Sequence, residues 1–333
     1  MTTQFNMKKK IALVTGGYSG EAEISYKSAI TVAHNIDTDK FDFYTIDIHP
    51  SGWFYTNENN KKCEVDKTDF TIIFQNKKIK FDAVLLCIHG TPGEDGKLQG
   101  YFDLMNLPYT SCNAATSALT FNKRYTLAVA AFGGIKVAKS VHLFKQNKLN
   151  IDSIVQQLKL PVFVKPNNGG SSLGMSKVVD VSNLNDAIKK AFDVDDQVLV
   201  EEMISGREFT IGVYKTKNEF VVLPITEIIT QNDFFDYEAK YLGKSEEVTP
   251  AKISNEIKVQ IEEAATKIYH LLNCSGIVRI DFIYNEKDFQ PYMLEVNTVP
   301  GQSQASIVPQ QVLAHGLSLK EFYTSLIENV LTN

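Results

Sequence analysis

Two different periods of apolar positions alternate along the first third of the chain. Ile11–Thr15 is an unbroken aliphatic run, as in a strand buried on both faces. Glu21–Asn35 spaces its apolar residues as a helix does, and Phe41–Ile48 returns to strand texture. Trp53–Tyr55 and Thr71–Phe74 read as the two arms of a hairpin, before the apolar strand Ala83–Ile88. Such alternation predicts an α/β domain with a doubly wound parallel sheet, whose ligands gather at the carboxyl ends of the strands. Two glycine-bearing loops, after Thr15 and after Ile88, fall at such ends.

The texture changes near Asn113. A helix carrying Lys123 and Arg124 leads into a strand over Ile135–Val141 and a helix near Ile151–Leu158. Next come the strand Pro161–Lys165, a Gly/Ser loop, a helix over Leu184–Phe192 and the strand Gln197–Glu202. Beyond Gly206 the pattern predicts long strands, an irregular stretch over Asp233–Pro250 and a helix from about Asn255 to Leu272. Two strands and two helices close the chain. Three units follow: 1–112, 113–203 and 204–333.

The 333 residues are 44% hydrophobic and 22% charged, enough for a substantial core in a soluble protein. A net charge of −5 argues against a broad nucleic-acid surface but leaves room for a local cationic phosphate site. No apolar run approaches the roughly 20 residues that span a bilayer, so no membrane partner is expected. Lys8–Lys10 has a leader's charge, but the apolar stretch after it is too short, and a cytoplasmic location is expected. Cys63, Cys87, Cys112 and Cys274 lack CxxC spacing and read as reduced thiols, not a zinc site.

The densest chemical signal is late. In Ile277–Ile283 a strand's two-residue period points Arg279 and Asp281 to one face and Ile280 and Phe282 to the other. In LEVN the same period separates Glu295 and Asn297 from Leu294 and Val296. Two carboxylates and an amide oxygen suit Mg²⁺, which takes hard oxygens and completes its shell with water or phosphate. Either strand alone also reads as a half-solvated face with an Arg–Asp pair; the loop Thr298-Val299-Pro300-Gly301 after the second tips the balance toward a site.

In PVFVKPNNGGSSLGMSKV, Lys165 ends a strand, and the glycines and serines after it can present N–H groups and hydroxyls to phosphate. Lys123 is a lone helical lysine, ordinarily solvated. Glu201, Glu202 and Glu208 could accept hydrogen bonds from a nucleotide or be plain surface charge. His89, at a strand end in CIHGTPGEDGKLQG, could orient a carboxylate substrate or bond the loop backbone. Asp233–Pro250 is long for a compact domain unless it serves as a lid. The first loop, TGGYSG, looks like a dinucleotide turn, yet Glu21 follows its last glycine and Glu23 comes soon after. Carboxylates there would repel pyrophosphate, and one of them suits an ammonium group better; helix capping is the plainer alternative.

Taken in order, GGYSGEAEIS, HGTPGEDGKLQG, VKPNNGGSSLGMSKV, VLVEEMISGREFT, FDYEAKY, VRIDF and LEVNTVPG resemble the D-alanine–D-alanine ligases of the ATP-grasp superfamily. That resemblance covers nearly the whole chain. It implies a doubly wound N-terminal domain followed by a two-lobed ATP-grasp module. It also implies a two-step reaction: ATP phosphorylates one D-alanine, and the amine of a second attacks the acyl phosphate. By the family's pattern Asp281, Glu295 and Asn297 hold two Mg²⁺ ions, with Mn²⁺ as a substitute, and Lys123, Lys165, Ser172 and Lys240 touch the ATP phosphates. Glu201 and Glu208 hold the nucleotide, while Arg279 and the Gly301 N–H stabilise the oxyanion. Glu21 binds the first substrate's amino group, held by Ser171 and Tyr241; His89 and Ser306 contact the substrates. A homodimer is expected on the same grounds. Rival readings are a D-alanine–D-lactate ligase, against which Tyr241 speaks, and a non-catalytic nucleotide sensor, against which the intact ligands speak. Departures from the pattern are Ala22 in place of arginine, the uncharged Asn167-Asn168 and Gln302 in place of methionine.

Overall fold

The computed structural model describes residues 8–57, 59–170, 173–230 and 245–331. The N-terminal part comprises β1 (Lys9–Gly16), α1 (Ala22–Asn35), β2 (Phe41–His49), β3 (Gly52–Thr56), β4 (Lys62–Asp66), β5 (Thr71–Phe74), β6 (Lys77–Ile79), β7 (Ala83–Leu86) and α2 (Lys97–Leu104). Its sheet runs β6-β5-β4-β3-β2-β1-β7. β1 pairs in parallel with β2 and β7, and the strands beyond β2 form an antiparallel meander. The winding shows in β1's alternation. Ile11 and Leu13 pack toward α1, whereas Ala12 and Val14 share a core with Phe102 of α2.

The hairpin expected from Trp53–Tyr55 and Thr71–Phe74 is not formed. Both strands exist, but β4 lies between them and pairs with each. β4 reads KCEVD, with only Val65 buried, so it carries no period for a sequence reading to catch.

The helices α3 (Ala114–Phe121) and α4 (Lys123–Phe132) meet at Asn122, whose side chain accepts from the Tyr125 N–H, just as Asn113 caps α3 through Thr116. The cap puts Lys123 in the first turn of α4. The strand expected over Ile135–Val141 starts later, as β8 (Ser140–Phe144). Ile135 and Ala138 are instead buried in a connecting segment, and Val137 makes a single bridge to Met293. With β8 come α5 (Ile151–Gln157), β9 (Val162–Pro166), β10 (Ser176–Val178), α6 (Leu184–Phe192) and β11 (Gln197–Glu202). The four strands form an antiparallel sheet ordered β10-β9-β11-β8 around a core of their own.

The last part holds β12 (Arg207–Lys215), β13 (Phe220–Val222), β14 (Thr226–Thr230), β15 (Ser245–Val248), α7 (Asn255–Leu271), β16 (Ile277–Asn285), β17 (Gln290–Asn297), α8 (Ile307–Ala314) and α9 (Leu319–Leu331). Its strands run β15-β14-β12-β16-β17, with β13 on β12. α9 packs back on the N-terminal sheet: Phe322, Leu326 and Ile327 share a core with Ile11, Ala29 and Leu85. The last helix therefore ties the two ends of the chain together. Among the described residues, no helix is long and apolar enough to cross a membrane.

Candidate active site

β16 and β17 pair in register so that Asp281 lies opposite Glu295 and Arg279 opposite Asn297. The four polar groups form one patch because Ile280, Phe282, Met293 and Val296 turn the other way into the core. Leu294 departs from the expected alternation. A bulge between Asp281 and Phe282 leaves Leu294 without a partner, and its side chain lines the cleft beside Glu295.

Asp281 is heavily bonded. Arg279 donates Nε to Oδ1 at 2.9 Å and Nη2 to Oδ2 at 2.8 Å, Asn297 Nδ2 donates to Oδ2 at 3.2 Å, and the Thr210 hydroxyl of β12 donates to Oδ1. Burial opposes the charge on Arg279, but Asp281, Glu295 and Glu94 together hold its guanidinium protonated more firmly than usual.

The patch faces a cleft of about 590 Å³ between the second and third sheets. Lys165 and Glu201 form an ion pair of 2.6 Å there, and Glu201 Oε1 is buried with no hydrogen-bond partner among the described residues. Lys123 Nζ donates to the Gly169 carbonyl at 2.6 Å. Phe163, Met175, Met203 and Ile204 give the cleft apolar walls, Glu208 lines it, and Arg207 pairs bidentately with Glu227 at its rim. Apolar walls around an unmet acceptor, with Lys165 beside it and Lys123 further along, suit a base at one end and phosphates at the other.

A second cavity of about 350 Å³ adjoins the first, and Lys123, Gly169, Gly170, Arg279, Glu295 and Ile307 line both. Glu21 stands at the head of α1, but its side chain makes no capping bond, so the plainer alternative for it fails. Its carboxylate is wedged between two glycines. A Cβ would fall 2.7 Å from Oε2 at Gly90 and 2.8 Å from Oε1 at Gly170. Exposed Glu23 lies in the first turn, where it can only serve the helix dipole.

His89 lines the cavity, yet the protein already uses its ring. Nε2 meets the Ser28 hydroxyl at 3.0 Å, and the ring also bonds the Val299 backbone. Burial lowers its pKa to about 4, so it stays neutral; the second of its two readings, a bond to loop backbone, fits this geometry. At the far end, Ser306 heads α8 without capping it, and its hydroxyl lies 2.7 Å from that of Ser303. A Cβ on Gly301 would fall 2.7 Å from Ser306 Oγ. Glu247 of β15 closes this end, accepting from Gln310 at 2.9 Å.

The Gly301 loop is fastened by groups that sequence reasoning missed. Gln302 donates its N–H to Ser28 Oγ at 3.1 Å, bonds Pro300 through its side-chain amide, and accepts from the Tyr323 hydroxyl. Glu94 and Thr210 were missed too. The run HGTPGEDG held a signal for Glu94, but nothing in sequence marked Thr210. Ser171, Ser172, Lys240, Tyr241 and most of the expected lid lie outside the described residues.

The donor set fits a magnesium-type ion: Asp281 and Glu295 offer hard oxygens on one patch, and Asn297 could turn its carbonyl toward them. Among the described residues no group of three or more His, Cys, Asp or Glu gathers, so such an ion would lean on phosphate oxygens and water as well.

Residues 10–112 match the model of the D-ala D-ala ligase N-terminus, and residues 121–328 match that of the D-ala D-ala ligase C-terminus. The chain belongs to the D-alanine–D-alanine ligase family. It is 46% identical to the D-alanine–D-alanine ligase of Flavobacterium johnsoniae, over 96% of this chain and 98% of that one. Among solved structures it is similar to the VanG D-Ala:D-Ser ligase of Enterococcus faecalis, with a TM-score of 0.88 and 35% identity over 97% of this chain and all of that one. D-alanyl-alanine synthetase A of Vibrio cholerae also superposes with a TM-score of 0.88, at 29% identity over 98% and 99% of the two chains. The α/β fold with its ATP-grasp lobes is thus that of the ligase family.

Proposed function

We propose that the protein joins two D-alanine molecules, at the expense of ATP, into D-alanyl-D-alanine for cell-wall precursor synthesis. The observation that carries this reading is the meeting of two cavities at Lys123, Arg279 and Glu295. One has the walls of a nucleotide cleft, and the other has a carboxylate, Glu21, placed for an ammonium group.

In this reading Glu201 and Glu208 hold the nucleoside, and Lys165, Lys123, Ser172 and Lys240 lie along the phosphates. Glu21 anchors the first D-alanine by its amino group, leaving its carboxylate toward Arg279 and the γ-phosphate. Asp281, Glu295 and Asn297 would hold two Mg²⁺ ions, or Mn²⁺, which screen the clustered negative charge while the carboxylate attacks. Ser306 takes the second D-alanine's carboxylate and so aims its amine at the acyl phosphate. Arg279 and the Gly301 N–H then face the oxyanion, and phosphate leaves as the peptide bond forms. His89 fixes the loop and presents its ring edge. Tyr241 and Ser171 complete the hold on Glu21, and residues 233–250 act as the lid. The division into units 1–112, 113–203 and 204–333, a homodimeric state and a cytoplasmic location belong to the same proposal.

The test is ADP release with ATP, Mg²⁺ and D-alanine, with the product weighed by mass spectrometry. ADP and a dipeptide in equal amounts are expected; no ADP above the blank would overturn the reading. The likeness to a D-Ala:D-Ser ligase favours a second acceptor, because the paired Ser303 and Ser306 hydroxyls at that end of the cavity could turn to meet a hydroxyl group. Equimolar D-serine and D-alanine in one reaction would measure the preference, with the dialanine product expected to dominate.

A further inference from the structure

One carboxyl of the donor cavity has no part in the reaction above. Glu94 lines the same space as Glu21, and Gly90 separates the two. The Gly90 N–H donates to Glu94 Oε2 at 2.7 Å, while the α-carbon face of that glycine lies against the Glu21 carboxylate. Glu94 also takes a hydrogen bond from the Val299 backbone, in the loop that carries Gly301. Two peptide groups are modest compensation for a half-buried negative charge beside another carboxylate.

Among the described residues, the other charged groups around the cavity carry both signs. Arg279 commits both Nε and Nη2 to Asp281, and Glu295 draws on it too. His89 is neutral. Lys27 of α1 and Lys123 of α4 also line the cavity, as do Glu295 and Glu247, which add negative charge. Burial, then the charge of Glu21, outweigh the two N–H groups and Arg279, and raise the Glu94 pKa to about 8.

We propose that Glu94 is a positioning residue that carries a proton in the empty donor site and releases it to solvent when the ammonium of the first amino acid docks against Glu21. This rests on the reading of Glu21 as the amino-group anchor. The ammonium cancels the charge that keeps Glu94 neutral, so the ionised Glu94 adds a second negative wall behind it. The coupling has a definite sign. The complex binds fewer protons than the free protein, so affinity for the first D-alanine rises with pH until Glu94 is ionised in the empty site as well. Because Glu94 also grips Val299, docking at one end of the cavity tightens the loop that presents Gly301.

Calorimetric titration of D-alanine into the intact protein, with Mg²⁺ and a non-hydrolysable ATP analogue, counts the protons when repeated in buffers of different ionisation enthalpy. A net release near pH 7, fading above about pH 9, is expected. Glu94→Gln keeps the shape of a neutral carboxyl but cannot ionise. It should lose this release, raise the KM of the first D-alanine roughly tenfold, and flatten the rise of kcat/KM with pH. The same release from Glu94→Gln, or from propionate, which lacks the ammonium, would overturn the proposal. Should that variant not fold, the unaltered protein decides: D-alanine binding without proton release at pH 7 overturns the proposal alone. Failure of D-alanine to bind would overturn the reading of Glu21, and the proposal with it.

Discussion

Arg279 stands beside two pairs of carboxylates that are built in opposite ways. Asp281 and Glu295 sit opposite each other on paired strands, and Arg279, Thr210 and Asn297 all donate to Asp281. Glu21 and Glu94 come from two loops and meet across one glycine, whose N–H donates to Glu94. The strand pair is fixed by the sheet and by donors to Asp281, the arrangement that the proposed metal role calls for. The loop pair suppresses part of its charge until a cation arrives with the substrate. In the proposed function, the sheet-mounted pair serves the nucleotide and the loop-mounted pair the amino acid.

The largest effect should come from breaking the strand pair. Glu295→Gln is expected to lower ADP formation by on the order of 10³-fold while D-alanine still binds. A variant turning over near the normal rate would remove Glu295 from the metal role. Arg279→Lys comes next, with a loss of roughly 10²-fold in kcat, because an ammonium cannot hold Asp281 bidentately and still face the oxyanion. Steady-state kinetics with both substrates saturating would show it, and an unchanged kcat would contradict it. Gly301→Ala should then raise the KM for the second D-alanine by on the order of tenfold, since the new methyl displaces Ser306 Oγ. Initial rates against D-alanine concentration, which resolve the two binding steps, measure this.

A separate effect, on stability and not on rate, belongs to the loop side. Because the folded-state pKa of His89 lies near 4, the unfolded chain binds a proton that the native one refuses. Stability should therefore fall as pH drops from about 6.5 to 4, by about 3 kcal/mol, and level off below. His89→Gln should remove that slope from the midpoint of thermal unfolding, and a retained slope would assign it elsewhere.

Much of the fold was legible, because β9 and α6 carry clear periods of buried residues and β1 and β11 carry unbroken buried runs. The strand-mounted pair was legible for the same reason: a period of two places neighbours on one face without knowledge of the tertiary structure. The loop-mounted pair was only half visible. Glu21 was marked by what it does to a glycine turn, but no local rule brings Glu94 to it. Ser28 and Tyr323 were invisible likewise, and Gln302 was marked only as a departure from the family's pattern, since the three meet only when α1, the Gly301 loop and α9 pack. β4 escaped because a strand with one buried side chain has no pattern to read.

The extra residue in β17 has a consequence of its own. Were Leu294 cut out, Met293, Glu295 and Val296 would fall into plain alternation, and Asp281 could keep its partner. The sheet would be mended, while the cleft would lose an oily floor tile laid directly beside its acid. The irregularity thus shapes the cleft and not the core, and the strand tolerates a miscount so that grease and charge can stand side by side.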